Sequence, residues 1–216
     1  MRIVTLFILL VASMAAKAQA LRVNDLRGVA MRSTTYVEVI GSPYSSEDWQ
    51  MATLTDVKNN TFADVPVKLD QVRQVLLFKN GKESLEFVVP VTSFELKDPL
   101  TDKKAVFKRF PDAKPNKFFY AQVLSDGKVK LLKADRKSIG EERAFNSAKT
   151  DKVILSETSY LFATDGNAQP LKAEKSNVDV VFADHKSEVN AYIKKQKLSF
   201  KNEGDLIALV MYYNSL

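Results

Sequence analysis

The stretch FFYAQVLSDGKVKLLKADRKS, residues 118–138, places an Asp-Gly turn signal between two runs of β-prone residues. Asp-Gly between such runs is a strong hairpin signal, because glycine adopts the positive φ that tight turns require. On the returning strand, Lys128 and Lys130 point to the face opposite Val129 and Leu131. The stretch therefore predicts an antiparallel hairpin with a solvated, basic face.

Similar turn signals occur on both sides of this hairpin. Asn80-Gly81 separates QVLLF from SLEFVVPV, and Asp165-Gly166-Asn167 separates KVILSETSYLFA from QPLKA. Between about Thr34 and Leu171 the pattern gives roughly ten short strands with no long helical pattern between them. Such a chain is expected to form an antiparallel sheet that is curled or doubled over.

Three local features refine the strand prediction. TYVEVI, residues 35–40, alternates like a strand before Gly41 and Pro43 end it. Pro66 has no N–H for a sheet ladder, so its strand is expected at an edge or with a bulge. The alternation of charged and apolar residues changes phase at Leu132-Lys133, which indicates a second bulge.

The last forty or so residues change to a helical pattern. Ser176, followed by Asp179, is a candidate N-cap for a first helix, and DHKSEVNAYIKKQ and NEGDLIALVMYYNSL give two more. Three short helices cannot form a core alone, so they must pack on the sheet or on each other. The predicted fold is α+β: an antiparallel, curled β-sheet or half-barrel followed by a short C-terminal helical segment packed on it.

The N-terminus has the parts of an export signal. Arg2 precedes the apolar run IVTLFILLVASMAA, and Ala18-Gln19-Ala20 fits a small-x-small cleavage site. The apolar run is shorter than the roughly 20 residues that a bilayer span needs. We therefore expect a signal peptide at 1–20, a β domain at 21–172 and the helical segment at 173–216. The expected location is the periplasm or the outer membrane, or outside the cell.

Composition narrows the class of protein further. Cysteine is absent, which excludes disulfides, thiolate metal sites and a cysteine nucleophile. The formal net charge is +6, and loss of Arg2 and Lys17 with the signal peptide reduces it to +4. This mild charge, with no recognition motif, argues against a nucleic-acid partner.

The sequence contains few residues that could support catalysis. His185 is the only histidine, and no Gly-x-Ser-x-Gly elbow accompanies it. One histidine without cysteine is a poor basis for zinc or copper, and neither glycine-rich phosphate motif is present. We therefore expect no catalytic residue, no cofactor and no metal site. The close carboxylate pairs Glu47-Asp48, Asp98 with Asp102, and Glu141-Glu142 lie in turn-like or polar segments, where they are expected to be solvated.

The remaining candidates are basic and aromatic side chains that could contact a partner. The basic set is Lys128, Lys130, Lys133, Arg136 and Lys137. Such a patch suits phosphate-bearing envelope polymers or lipid head groups, but it also serves simply to keep a strand solvated. Trp49, after the acidic turn SSED, is a further candidate. The other aromatic residues that could line a groove, and are more often core, are Tyr44, Phe118, Phe119, Tyr120, Tyr160, Tyr212 and Tyr213.

Several segments together resemble a family of uncharacterised small exported proteins of Gram-negative bacteria. They are GSPYSSEDWQMATLTD and VPVKLD, then YAQVLSDGKVKLLKADRK, and finally YIKKQKLSFKNEGDLIALVMYYNSL. The most specific part is the terminal helix pair that ends in Tyr-Tyr-Asn. The resemblance implies an envelope location and a β domain followed by short helices, and it carries over no functional residue.

Three functional hypotheses follow. The first is a non-enzymatic envelope protein with a binding or structural role, whose partner is an envelope protein, glycan or lipid. The second is a carrier or chaperone for an apolar ligand, which requires an apolar cavity of several hundred cubic ångströms. The third is an Asp/Glu-dependent hydrolase of envelope glycans or peptides, which requires two carboxylates converging in a cleft.

Overall fold

The computed structural model describes residues 26–30, 36–97, 104–143, 150–164 and 170–216. Within these ranges there are three α-helices, α1 (Lys175–Val181), α2 (Lys186–Gln196) and α3 (Glu203–Asn214), with a 3₁₀ turn at Ala183–His185. The strands are β1 (Gly28–Ala30), β2 (Val39–Ile40), β3 (Gln50–Asp56), β4 (Thr61–Asp70), β5 (Val75–Asn80), β6 (Glu83–Phe87), β7 (Val91–Lys97), β8 (Lys104–Pro111), β9 (Phe118–Ser125), β10 (Val129–Arg143), β11 (Thr150–Thr164) and β12 (Leu171–Lys172).

These strands form one sheet in the order β1-β6-β5-β4-β3-β7-β8-β9-β10-β11-β12, and β2 pairs with β11 beside this path. The pairings along the path are antiparallel, whereas β2 runs parallel to β11. The sheet does not close into a barrel, and the three helices pack on it. The predicted α+β fold, with an antiparallel sheet and C-terminal helices, is confirmed.

The sheet curls, so strands that are not neighbours come into contact. The Tyr120 hydroxyl on β9 donates a 2.8 Å hydrogen bond to the Val91 carbonyl on β7, across β8. The Tyr120 ring also lies 5.4 Å from the Phe94 ring. The curl encloses a first core, consisting of Ala52, Leu54, Phe62, Val65, Val67, Leu69, Leu76, Phe78, Leu85, Val91, Phe94 and Tyr120.

A second core lies between the helices and the last strands. Its members are Val129, Leu131, Phe162, Ala173, Val178, Phe182, Val189, Leu206, Leu209, Val210 and Tyr213. A third, smaller cluster contains Phe119, Ala121, Leu132, Ala134 and Ala163. Side chains alternate between the two faces of a strand, so β9 contributes to the first and third clusters and β10 to the second and third. These two strands join the cores.

The turn between β4 and β5, residues 71–74, fills the gap where β9 and β10 separate. The described pairing between those two strands involves only Leu131–Lys133 of β10. Beyond it, the Gln74 side chain accepts a 3.0 Å hydrogen bond from the Tyr120 amide and donates one of 2.8 Å to the Gln71 carbonyl. The Lys137 amide also donates to the Gln71 carbonyl at 3.0 Å. The turn therefore replaces a strand partner for both β9 and β10.

Of the strand expected at residues 35–40, the described part, residues 36–40, is a strand only at its end. Residues 36–38 form a turn with Glu38 at φ +62°, and only Val39–Ile40 is a strand. The Tyr36 hydroxyl donates a 2.6 Å hydrogen bond to the carboxylate of Asp70, which is buried. Burial and this hydrogen bond raise the pKa of Tyr36. The tertiary contact thus overrides the alternating pattern.

Both predicted bulges are present in the sheet. Pairing between β3 and β4 shifts register near Asp64, which has φ +54°. The strand that carries Pro66 is central, between β3 and β5, so the edge position is excluded. The pairing of β4 with β5 starts at Val67. Pro66 lies one residue before this pairing, so its missing N–H costs no hydrogen bond to β5. The second register shift falls between Leu131 and Leu132, one residue earlier than predicted.

The hairpin between β5 and β6 lies where the sequence predicts it, but its two-residue loop is shifted by one position. Asn80 pairs with Glu83, so the two-residue loop is Gly81-Lys82 rather than Asn80-Gly81. Gly81 has φ +60°, the conformation that a type II′ turn needs at its first central residue. The pairing of β11 with β12 is confirmed, while the turn at residues 165–169 lies outside the described residues.

The first helix does not begin where the sequence suggests. Its N-cap is Glu174, without a side-chain hydrogen bond, so the prediction of Ser176 as N-cap is wrong. The helix start is set by β12, because the Ala173 amide donates to the Tyr160 carbonyl on β11 immediately before it. By contrast, α3 has a side-chain cap, since Asn202 accepts a hydrogen bond from the Asp205 amide.

Within the described part of the chain, none of the helices combines the length and the hydrophobicity of a bilayer-spanning segment. The predicted signal peptide, residues 1–20, lies outside the described residues.

Candidate functional site

Two of the five candidate basic residues hold the helices on β10. Lys128 forms an ion pair with Asp184 on the 3₁₀ turn and lies over the Tyr213 ring, 5.2 Å from its centroid. The hydrogen bond from Lys128 lowers the pKa of Asp184 to about 2. Lys133 pairs with Glu203 at 3.0 Å, and this hydrogen bond raises the pKa of Lys133. Both lysines therefore have structural partners.

Two more of the five interact within the sheet domain. Lys130 pairs with Asp126 in the preceding turn at 2.7 Å, and this contact lowers the pKa of Asp126. Lys137 donates hydrogen bonds to the carbonyl oxygens of Ser42 and Tyr44 at 2.9 and 2.6 Å. Since carbonyl oxygens carry no formal charge, these bonds position the ammonium group without neutralising it.

Arg136 lies at the edge of a cleft. It pairs with Asp112 at 2.7 Å and covers the ring of Phe119, 4.2 Å from the centroid. Burial opposes ionisation of Asp112, but the hydrogen bonds from Arg136 and from backbone amides outweigh it and lower the Asp112 pKa. Taken together, the five basic side chains do not form one continuous surface. Only Arg136 and Lys137 line a common cavity.

That cavity, here called the basic cleft, has a volume of about 650 Å³. It lies between the 71–74 turn, the β8–β9 connection and β10. Its lining contains five basic side chains and two carboxylates, a formal charge of +3. The lining residues are Gln71, Val72, Arg73, Gln74, Val75, Asp112, Lys114, Lys117, Phe118, Arg136, Lys137, Ser138 and Glu157.

Sequence reasoning missed three basic residues of the cleft: Arg73, which is ion-paired with Glu86 at 2.5 Å, and the two lysines Lys114 and Lys117. Both lysine side chains are exposed, and neither forms an ion pair with any described residue. They are held by a compact connection in which the Asp112 amide donates to the Lys117 carbonyl and the Lys117 amide donates to the Lys114 carbonyl. The sequence signal, PDAKPN followed by Lys117, reads only as a proline-rich connector.

An aromatic side chain also borders the cleft. Phe118 is 40% exposed, and the Arg109 guanidinium carbon lies 3.6 Å from the centroid of its ring. A cation this close to a ring face is attracted by the π electrons, so Arg109 fixes the orientation of Phe118. The cleft thus presents exposed cations beside an exposed ring.

Three other cavities of the described residues are less basic. One, of about 600 Å³, opens beside the first core, with Val67, Leu69 and Phe94 in its lining. The other two have volumes of about 440 and 480 Å³. Counting the charged lining residues gives +1 for each of the three. The basic cleft therefore stands apart by its charge.

Trp49 lies away from the basic cleft and is half-buried. The Lys68 ammonium nitrogen is 5.1 Å from the Trp49 ring and 5.0 Å from the Tyr44 ring, and it also donates to the Glu47 carbonyl. The aromatic face of Trp49 is thus used by an internal cation. The structure does not bring Trp49 together with the five basic candidates.

The other polar candidates are dispersed. His185 lies between α1 and α2, 3.8 Å from Glu188 and beside the Tyr213 ring. Glu47-Asp48 and Glu141-Glu142 are exposed, while Asp98 and Asp102 lie outside the described residues. Among the residues that the structure describes, no group of three or more His, Asp or Glu side chains could hold a metal ion.

No family model, curated protein or solved structure matches this chain.

Proposed function

We propose that this protein is a non-enzymatic, exported cell-envelope protein that binds a phosphate-bearing ligand in the basic cleft. The N-terminal pattern of Arg2, an apolar run and Ala18-Gln19-Ala20 supports export. The observation that carries the binding proposal is the formal charge of +3 in one cleft, together with the unpaired Lys114 and Lys117. Cations without a protein counter-ion gain most from an anionic ligand, because no existing pair must be broken.

The division of roles within the cleft supports this function. Lys114 and Lys117 are free to reach a ligand, whereas Lys137 and Arg136 are held in place by their own hydrogen bonds. Lys114 and Lys117 are exposed and Arg136 is held beside them, so a phosphate group can meet cations from more than one direction. The attraction should fall with ionic strength, since exposed charges are screened within about 10 Å at 0.1 M salt.

Inorganic tripolyphosphate is a suitable probe for this proposal. We expect it to bind the wild-type protein at low salt, measured by isothermal titration calorimetry. A double variant, Lys114→Gln with Lys117→Gln, should bind about tenfold or more weakly, since each lost charge near a phosphate weakens binding several-fold. The matched control, Lys194→Gln with Lys195→Gln, removes two exposed lysines from α2 and should bind like wild type. Equal losses in both variants would show that the cleft is not the site.

A second candidate, a carrier for an apolar ligand, rests on the cavity of about 600 Å³ beside the first core, whose lining combines six apolar residues with seven polar or charged ones. This volume lies in the range of small-molecule pockets, roughly 300–1,000 Å³. Mass spectrometry of the protein purified gently from its own envelope would test it. A lipid bound stoichiometrically supports the carrier, and recovery of the protein without lipid counts against it.

A further inference from the structure

The face that contains the basic cleft continues into an apolar strip at the end of the β10–β11 ribbon. The strip consists of Ile40, Val153 and Leu155. Residues that pair directly across strands share a face, and Ile40 is paired with Val153. Alternation along β11 places Leu155 and Glu157 on the same face as Val153. Glu157 lines the cleft, so the cleft and the strip are continuous.

Two of the three side chains of the strip are more than half exposed. Ile40 is 59% exposed and Leu155 is 52% exposed. The Leu155 side chain covers Gly140, where an added Cβ would lie 2.5 Å from Leu155 Cδ1. Phe118, at the other side of the cleft, adds an exposed ring. The combined surface, here called the docking face, consists of the basic cleft, the apolar strip and Phe118.

We propose that the docking face binds an anionic lipid bilayer, with phosphate head groups in the basic cleft and the apolar strip at the acyl boundary. This inference rests on the proposed function and names the source of its phosphate. A surface that combines cations with exposed aliphatic and aromatic side chains matches the two components of peripheral membrane binding. A soluble phosphate compound would occupy the cleft alone and leave the strip in water.

The charge of the docking face also argues against its main competitor, a second copy of the chain. A symmetric dimer through this face would bring two clefts, each with a formal charge of +3, into the same interface. Like charges brought together in this way are unfavourable. An anionic bilayer instead carries a charge opposite to that of the docking face. It also combines a polar surface with an apolar interior, as the docking face combines cations with aliphatic side chains.

Sedimentation with lipid vesicles tests the inference. We expect the protein to bind vesicles of phosphatidylglycerol mixed with phosphatidylcholine, and to bind phosphatidylcholine vesicles at least tenfold more weakly. The double variant Ile40→Ser with Leu155→Ser should reduce binding to the mixed vesicles by about tenfold or more, since each buried aliphatic group contributes. The matched control is Val180→Ser with Met211→Ser, which removes two aliphatic residues, 68% and 61% exposed, from α1 and α3. This control should bind vesicles like wild type.

The outcomes separate this inference from the function on which it rests. Tripolyphosphate binding without vesicle binding would overturn the bilayer inference and leave the cleft as a site for soluble phosphates. Equal losses in the strip variant and its control would also overturn it, because the apolar strip would then have no special role. Failure of tripolyphosphate to bind, with the vesicles bound and the strip variant impaired, would contradict the proposed phosphate site instead. Concentration-dependent dimerisation abolished by the strip variant, without vesicle binding, would identify a second copy as the occupant.

Discussion

Asn214 takes the place of a neighbouring strand for Val129 at the start of β10. Its side-chain oxygen accepts a 3.0 Å hydrogen bond from the Val129 amide, and its side-chain nitrogen donates one of 2.8 Å to the Val129 carbonyl. Val129 is buried, so water cannot easily replace either bond. Gly127 allows this approach, since an added Cβ there would lie 2.5 Å from Asn214 Nδ2.

Replacing Asn214 should therefore cost more than its position near the C-terminus suggests. We expect Asn214→Ala to lower the free energy of unfolding by about 1–3 kcal/mol, because it leaves buried backbone groups of Val129 unsatisfied. Urea denaturation followed by circular dichroism measures the change. Ser215→Ala, one residue further on, is the control; it removes only a solvent-exposed 2.6 Å hydrogen bond from the Ser215 hydroxyl to the Tyr212 carbonyl and should stay within about 0.5 kcal/mol of wild type. An unchanged midpoint for Asn214→Ala would mean that this bond pair contributes nothing to stability.

At the scale of elements, the helical segment is attached to the sheet through polar contacts as well as through the second core. Asp184 accepts hydrogen bonds from Lys128, immediately before β10, and, at 2.8 Å, from the Tyr213 hydroxyl on α3. The Glu203 carboxylate similarly joins Lys133 and Tyr160 to the start of α3. Ionised carboxylates thus connect the helices with β10 and β11.

The Asp184 contact predicts a dependence of stability on pH. Its pKa is lowered from 3.8 to about 2 in the folded protein. The contribution is therefore complete above about pH 4 and is lost as the pH falls towards 2. We expect Asp184→Asn to be less stable than wild type near neutral pH, and the difference to shrink as the pH falls through this window. Thermal unfolding at a series of pH values measures it.

The control for this experiment is Glu141→Gln, which removes an exposed carboxylate from the β10–β11 ribbon. Its stability difference from wild type should be small at every pH. A difference for Asp184→Asn that is independent of pH would show that ionisation of Asp184 does not stabilise the attachment.

For the whole molecule, β9 and β10 join the cores, so we expect the sheet and the helical segment to unfold together. Leu209→Ala empties a position in the second core and should cost about 2–5 kcal/mol. Trp49, the only tryptophan, lies in the sheet domain far along the chain from Leu209. In Leu209→Ala, the urea midpoint followed by Trp49 fluorescence should fall by the same amount as the midpoint followed by circular dichroism. Two separated transitions, with that of Trp49 unmoved, would instead indicate independent domains.

The sequence by itself determined the elements of this protein and their order. Alternation, turn residues and the late change to a 3.6-residue period gave the antiparallel sheet, its main hairpins and the C-terminal helices, because these signals depend on local sequence. Among the candidate site residues, it found Arg136 and Lys137 from their charge.

Only the tertiary structure decided which of these residues act together. The turn at residues 36–38, the position of the 71–74 turn between β9 and β10, and the internal partners of Lys128 and Lys133 all depend on contacts between distant segments. Lys114 and Lys117 join Arg136 in one cleft only because the β8–β9 connection folds beside β10. A local sequence pattern indicates which face of a strand a side chain occupies. Which residue it contacts on that face depends on how the sheet curls.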